Sequence, residues 1–542
     1  VVGQGSGFLP LLCALLSVLK YTHVQCQWTA GTEPHASERS GRSVLHIDLM
    51  ANENSTSKIP GYFDIALNGW LLLMAFAAPL SIAATQAAWA LGMLTWIARA
   101  VLSPRGRWRM QAIDLSIFAF TGLTLLSSFF SYERTESLRK MVAVSLLTIV
   151  YLVSRNITQI STVRRMIALM LVAAVLSVFW TLGVLAVGKN LKMIHLSPDS
   201  PLRTATPYPI AEGDTLLRVN GISVASPEAA SAAIARSNDG NVTLQVYHFE
   251  WVFDTAVPAA AINGGQLGIT DWSRGRDTRA EGFFGHYTTY SEVLQLVLSI
   301  AIGLMLTAPG GSLDRWRLLF SVCAGLYVIA LFLTVTRASW MGALVSAGVM
   351  TLIAARKKTL LVIVPLAAII GLAGVFYLAQ KRNVGMIDTG DASTTWRATV
   401  WREAWGVLTS SPRHMLVGVG MESIKTHWSD WHMFDNGNLP MGHLHSDYLE
   451  IAFERGFPTL IAWLAWLTIY LRMLWRGYRH PGLGWTERGL LLGAFGGTLG
   501  FLTAGIVHYN WGDSEVAELL FVIMGMSLAV IHTSAGSDPV EA

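Results

Sequence analysis

The sequence predicts an all-α polytopic membrane protein of about twelve transmembrane helices, with a small α+β module inserted on one side. Three observations predict it. Of 542 residues, 52% are hydrophobic and only 14% charged, whereas soluble domains carry about a quarter charged residues. From Tyr62 onward, apolar runs alternate with short polar loops, many of the runs near the length a helix needs to cross a bilayer. The basic residues also fall in every second loop, which is an orientation signal.

The expected spans are 65–80, 82–101, 114–131, 137–155, 163–187, 286–308, 316–335, 338–355, 359–379, 456–475, 486–508 and 515–532. Pro79 either separates the first two or kinks one long helix. Arg105, Arg107 and Arg109, then Arg155, Arg164 and Arg165, Arg315 and Arg317, Arg356 to Lys358, and Arg472, Arg476, Arg479 and Arg488 share one side if both termini are cytoplasmic. Segments 188–285, 380–455 and 508–514 then lie outside. The expected organisation is an extension over 1–61, five spans over 62–187, an insert over 190–250 and spans six to nine within 251–379. An outer loop over 380–455 and a final part, 456–542, with three spans and a tail complete it.

Residues 1–49 read poorly as part of this fold. Phe8–Leu19 is apolar but short and has no basic residue before it, and Met50-Ala-Asn-Glu-Asn resembles an ordinary translation start. An upstream extension is expected, with a cleaved signal peptide as the alternative. Cys13, Cys26 and Cys323 build neither a disulfide framework nor a thiolate metal site. The net charge of +4 is spread over short loops and leaves no nucleic-acid footprint.

The insert departs from the apolar pattern. Thr215–Val219 and Thr243–Tyr247 alternate like strands, Asn220-Gly221 signals a tight turn, and Glu228–Ala235 follows a Ser226 cap like a helix. With Gly213-Asp214 and the preceding Ser-Pro, this stretch resembles a PDZ domain of the bacterial type. Such domains take an extended peptide by adding it to a sheet edge, so a peptide or protein partner is implied. A ligand-free spacer is the alternative.

Chemistry concentrates in Gly442-His-Leu-His-Ser-Asp-Tyr-Leu-Glu-Ile-Ala-Phe-Glu-Arg-Gly456. Ser446 or Asp447 can cap a helix in which Leu449, Ala452 and Phe453 share a face, ended by Gly456 and Pro458. Imidazole takes a proton near neutral pH, so His443 and His445 are candidate bases. Two arginines lie on the same side: Arg279, before Gly282-Phe-Phe-Gly-His-Tyr, and Arg337, in Thr334-Val-Thr-Arg-Ala-Ser-Trp. An arginine at the boundary is costly unless it snorkels or faces a polar cavity, and guanidinium matches phosphate oxygens in pairs.

Together with Gly418-Val-Gly, these motifs resemble the O-antigen ligase family over most of residues 62–532, the insert excepted. The resemblance implies a GT-C-like glycosyltransferase. It would move a glycan from undecaprenyl diphosphate to an acceptor, lipid A-core for a ligase, at the periplasmic face of the bacterial inner membrane. It also implies that Arg279 and Arg337 hold the diphosphate and that His445 activates the acceptor hydroxyl. The chain has Ser446 where asparagine is usual, so the choice between His443 and His445 stays open. Arg397, Arg402, His286 and Asp513 are candidate substrate-lining residues. Asp388, Asp391, Asp430 and Asp435 are scattered, and neither a metal nor a cofactor is expected. A polymerase or protein O-oligosaccharyltransferase shares this logic. A lipid-linked glycan transporter with a PDZ sensor is the alternative of another class, but its ionisable groups should lie near mid-membrane.

Overall fold

The computed structural model describes residues 58–102, 110–236, 240–248, 251–262, 266–276, 279–310, 314–354 and 392–535, with isolated positions 369, 371, 374 and 376. Within them the apolar runs form helices. These are α1 (Lys58–Ala77), α2 (Ile82–Leu102), α3 (Ala112–Phe129), α4 (Arg134–Asn156) and α5 (Ile160–Val187). After the insert come α7 (Tyr287–Thr307), α8 (Arg315–Leu333) and α9 (Arg337–Ala354). The last three long helices are α12 (Phe457–Tyr478), α13 (Trp485–Ala504) and α14 (Ser514–Ala535).

Among the described residues, eight helices are long and apolar enough to cross a membrane: α3, α4, α5, α7, α8, α9, α12 and α14. The protein is a multi-pass membrane protein. α1, α2 and α13 occupy three more of the expected positions, and the expected ninth span, 359–379, lies outside the described residues. Pro79 separates two helices rather than kinking one, since α1 ends at Ala77 and α2 begins at Ile82.

Close helix contact is achieved with small residues. Gly303 of α7 lies against the backbone of Gly489 and Gly493 on α13, and a Cβ on Gly342 of α9 would meet the Gly500 carbonyl at 2.6 Å. With lipid as apolar as leucine, intimate van der Waals contact of this kind drives association. Buried polar groups supply the rest. Gln295 of α7 donates to Ser346 of α9 (2.9 Å), whose hydroxyl donates to the Gly496 carbonyl (2.6 Å).

The insert is a soluble-type module. Strands β1 (Asn190–Leu196), β2 (Thr215–Val219), β3 (Ile222–Ser223), β4 (Asn241–His248), β5 (Trp251–Pro258) and β6 (Ile269–Gly275) form an antiparallel sheet in the order β5-β4-β2-β1-β6. β3 pairs with β2 across the Asn220-Gly221 turn, whose residues have φ of 49° and 78°, the left-handed pair a two-residue hairpin needs. Helix α6 (Pro227–Ala235) is capped by Ser226. Leu191, Leu216, Leu244, Val246, Ala230 and Ala233 belong to a core separate from that of the membrane helices.

The expected boundary at residue 250 is too early. It falls inside the β4–β5 hairpin, which pairs from His248↔Trp251 to Asn241↔Pro258, and β6 returns to pair with β1. The β6 strand Ile-Thr-Asp-Trp-Ser-Arg-Gly carries little apolar signal, so its place in the sheet is not evident from alternation.

An excised fragment covering residues 188–276 is expected to be soluble and to show mixed strand and helix by circular dichroism. One ending at 250 should be unfolded, having lost both outer strands. A folded 190–250 fragment would refute this account of the core.

Candidate functional site

Two short helical pieces close the end of the bundle that carries the sheet. α10 (Ala392–Thr409) lies over α11 (Asp447–Arg455). Ser446, extended at φ −157°, caps α11 by accepting from the Leu449 N–H at 3.5 Å. Ala452 and Phe453 are buried with Leu449 packed beside them, so the expected apolar face is present. The opposite face is buried as well. Asp447, Glu450, Glu454 and Arg455 are at most 6% exposed.

That burial is held by backbone groups. The Asp447 N–H donates to the carbonyls of Gly505 (2.8 Å) and His508 (3.0 Å), and its carboxylate accepts from the Trp511 N–H at 2.9 Å. Glu450 accepts from the Leu444 N–H at 2.6 Å. At the other end, Val419 and Gly420 donate to the carbonyls of Phe453 (2.9 Å) and Glu454 (2.8 Å). Gly418 and Gly456 have φ of 70° and 82°, and a Cβ on either would fall inside the other strand's backbone. Only glycine suits both demands. The Gly418-Val-Gly motif is therefore the clamp on the C-terminal end of α11.

The histidines precede the helix in an irregular segment, His445 itself at φ 50°. Trp401 and Trp396 of α10 steady it by donating to the carbonyls of Leu444 (2.6 Å) and Pro440 (3.0 Å). The two imidazoles meet different neighbours. His445 is open at the rim, with its ring edge-on to Trp396 at 5.2 Å. Desolvation and then the Arg397 guanidinium push its pKa down to about 4, with smaller contributions from His508, His443 and His286. His443 lies 3.6 Å from the Glu450 carboxylate and beside Tyr509, and Glu450 raises its pKa against the opposing effect of burial.

The arginines converge through the helix starts. The Ala280 N–H donates to the Leu333 carbonyl at 3.0 Å, and Ser291 of α7 bonds Ser339 of α9 at 2.7 Å. Arg279 and Arg337 are thereby brought to one junction. Arg279 lies 4.2 Å above the Tyr287 ring, Arg337 donates to the Ser393 hydroxyl at 3.3 Å, and Arg397 donates to the Ser393 carbonyl at 3.2 Å. His286 caps α7, accepting from the Thr289 N–H.

Of the other expected lining residues, Asp513 joins His286 through the Thr289 hydroxyl, whereas Arg402 turns away. Arg402 is exposed, and a spacing of five turns it well away from Arg397 around the helix. Asp513 accepts from the Thr289 hydroxyl at 2.5 Å and ties α7 to the turn before α14. His508 was legible only as part of a polar turn. It is buried against Glu292 at 2.8 Å, and burial followed by Arg397 and Arg279 lowers its pKa to about 3. Glu450, Glu454 and Arg455 were missed because charges in a short helix read as its solvent face. Among the described residues, no group of three metal-ligating side chains is present.

A multi-pass membrane protein with arginines and histidines gathered at one end of its bundle is the class that the fold defines. Residues 319–464 match the family model described as O-antigen ligase, a stretch that contains Arg337, Arg397, both histidines and α11. Over that stretch the chain is similar to the O-antigen ligase family. No curated protein matches the chain.

Replacing Arg397 with methionine is expected to raise the His445 titration midpoint from about 4 towards the ordinary imidazole value, as followed by NMR of labelled histidine. Arg402→Met should leave it in place. Equal effects of the two substitutions would contradict the assigned neighbourhood.

Proposed function

We propose that the protein is a glycosyltransferase of the O-antigen ligase type, taking a glycan from undecaprenyl diphosphate to an acceptor hydroxyl, most specifically on lipid A-core. The observation that carries this reading is that Arg337 and Arg397 both donate to Ser393 and that Arg397 acts on the exposed His445, these three lying inside the family match, with Arg279 over Tyr287 at the start of α7. Departure of a lipid diphosphate needs fixed positive charge on the leaving oxygens. Paired guanidinium donors supply it without titrating. The acceptor hydroxyl must lose a proton as it attacks, and a neutral imidazole accepts it, typically worth about 10²–10⁴-fold.

Of the two histidines, His445 suits the base. His443 is drawn towards its charged form by Glu450 and faces that carboxylate. His445 is neutral at pH 7 because desolvation, and after it the Arg397 guanidinium, opposes its protonation. A bound diphosphate would offset Arg397 and raise the basicity of His445 when the donor is in place. The basic residues Arg155, Arg164, Arg315, Arg317 and Arg476 lie at or near helix ends remote from the cleft, which supports an inner-membrane orientation with the site towards the periplasm. The sheet module with its own core and capped helix supports the PDZ-like reading, and with it a docked peptide.

Deletion of the gene should remove long lipopolysaccharide chains while full-length carrier-linked glycan accumulates. Accumulation of single repeat units would instead identify a polymerase. With purified protein, His445→Ala should reduce transfer by roughly 10²-fold or more at unchanged thermal stability. Arg337→Lys should impair donor use severely, because an ammonium cannot grip two oxygens at once. The acid limb of kcat/KM should lie near pH 4, where free His445 protonates, and that of kcat should lie higher. A kcat limb at or below that of kcat/KM would reject the proposed coupling.

A further inference from the structure

A cleft of about 140 Å³ opens at the same end of the bundle, between α3, α4 and α14. His443 lines it, whereas His445, Arg279, Arg337 and Arg397 do not. Arg455 lies in its wall and is only 6% exposed. One guanidinium nitrogen reaches Glu454 at 3.5 Å and the Tyr509 hydroxyl at 3.4 Å. The Nε and the other terminal nitrogen have no hydrogen-bond partner among the described residues.

Asp447 Oδ2 and Glu450 Oε1 also lack a hydrogen-bond partner among the described residues, whereas the two carboxylates in the cleft wall are served. Glu422 takes Lys140 at 2.8 Å and Lys425 at 2.6 Å, and Glu454 accepts from the Glu422 N–H at 3.2 Å. The unfilled capacity at Arg455 is therefore donor capacity. A guanidinium withheld from water with empty donors is costly, and its best partner is a group offering paired anionic oxygens.

Two further observations specify that group. Arg134, Arg139 and Lys140 sit at the cleft end of α4, opposite to the end where the other basic loops gather, so they do not serve the usual orientation signal. Deeper in the cleft the wall is apolar, formed by Phe120, Val144, Leu147 and Phe521. It adjoins a groove beside Gln86, Trp89 and Val142 with which it shares Lys140 and Leu146. α4 breaks into a 3₁₀ turn at Leu146–Thr148, at this wall.

We propose that this cleft binds a phosphate-bearing amphiphile, with the phosphate on Arg455 beneath Lys140 and the chain along the apolar wall between α2, α4 and α14. It deepens the transfer reading and rests on it in one respect. A lipid-borne acceptor would enter here, while the donor diphosphate lies on the Arg279 and Arg337 side of His443-Leu-His445.

The test is a titration of the purified full-length protein in a nonionic maltoside with dodecyl phosphate, followed by tryptophan fluorescence, no glycan donor being present. Saturable binding is expected, weakened roughly tenfold or more by Arg455→Gln and less by Lys140→Gln, and unaffected by Arg337→Lys. Inorganic phosphate should compete poorly. Equal competition by it would mean a free-anion site and overturn the amphiphile. Ala143→Trp fills the exposed rim without touching the buried charges, and decides the matter if Arg455→Gln does not fold. Unchanged affinity in both Ala143→Trp and Lys140→Gln would overturn the site. A protein that binds dodecyl phosphate yet transfers no glycan would refute the transferase reading and leave the cleft standing.

Discussion

The structure depends on keeping four charged side chains of α11 out of water at the end of an apolar bundle. Asp447, Glu450, Glu454 and Arg455 are all buried in nine residues. Isolated charges in such surroundings would cost far more than one helix could return. Three devices make it tolerable. Backbone N–H groups of Leu444, Trp511 and Glu422 point at the carboxylates. Arg455 contributes one counter-charge. Desolvation also raises the Asp447 pKa well above the carboxylate range and that of Glu454 to about 7, so part of the charge is discharged.

Because those backbone donors come from three different segments, α11 cannot shift without stripping several of them. The Gly418–Gly456 contact locks its C-terminal end and the bonds from Asp447 to Gly505 and His508 lock its start. Rigidity of this kind is what a site needs if its side chains are to sit within a fraction of an ångström of a reacting group. It also explains why the segment just before the helix can hold two imidazoles in contrasting states. One faces a carboxylate that raises its pKa, and the other is desolvated beside a guanidinium, both of which lower it.

The bundle divides its labour by depth. Interiors of α7, α9 and α13 use glycine contacts and a serine–glutamine chain to hold helices together. Ionisable groups gather at the end bearing the sheet, where α7, α9, α10 and α11 begin. A transport path would need such groups along the mid-depth, so this distribution favours surface chemistry. The sheet module has a core of its own and joins this end by short links such as the Lys189–Glu281 pair at 3.3 Å.

Sequence alone determined the elements whose physics is local. Long apolar runs announced the membrane helices, and the Ser226 and Ser446 caps with the Asn220-Gly221 turn fixed their elements almost to the residue. Each of those signals is spent within a few residues. The resemblance to the O-antigen ligase family added Arg279, Arg337 and His445, and the family match now covers two of the three. Tertiary structure decided what depends on partners far along the chain. That β5 and β6 complete the sheet follows from pairing with β4 and β1. That Arg397 is half-buried near His445 while Arg402 is exposed follows from how α10 lies on its neighbours. That His443 and His445 differ follows from Glu450 on one side and Arg397 on the other. A charge in a short helix looks the same in sequence whether it meets water or a wall of protein, and only packing tells the two apart.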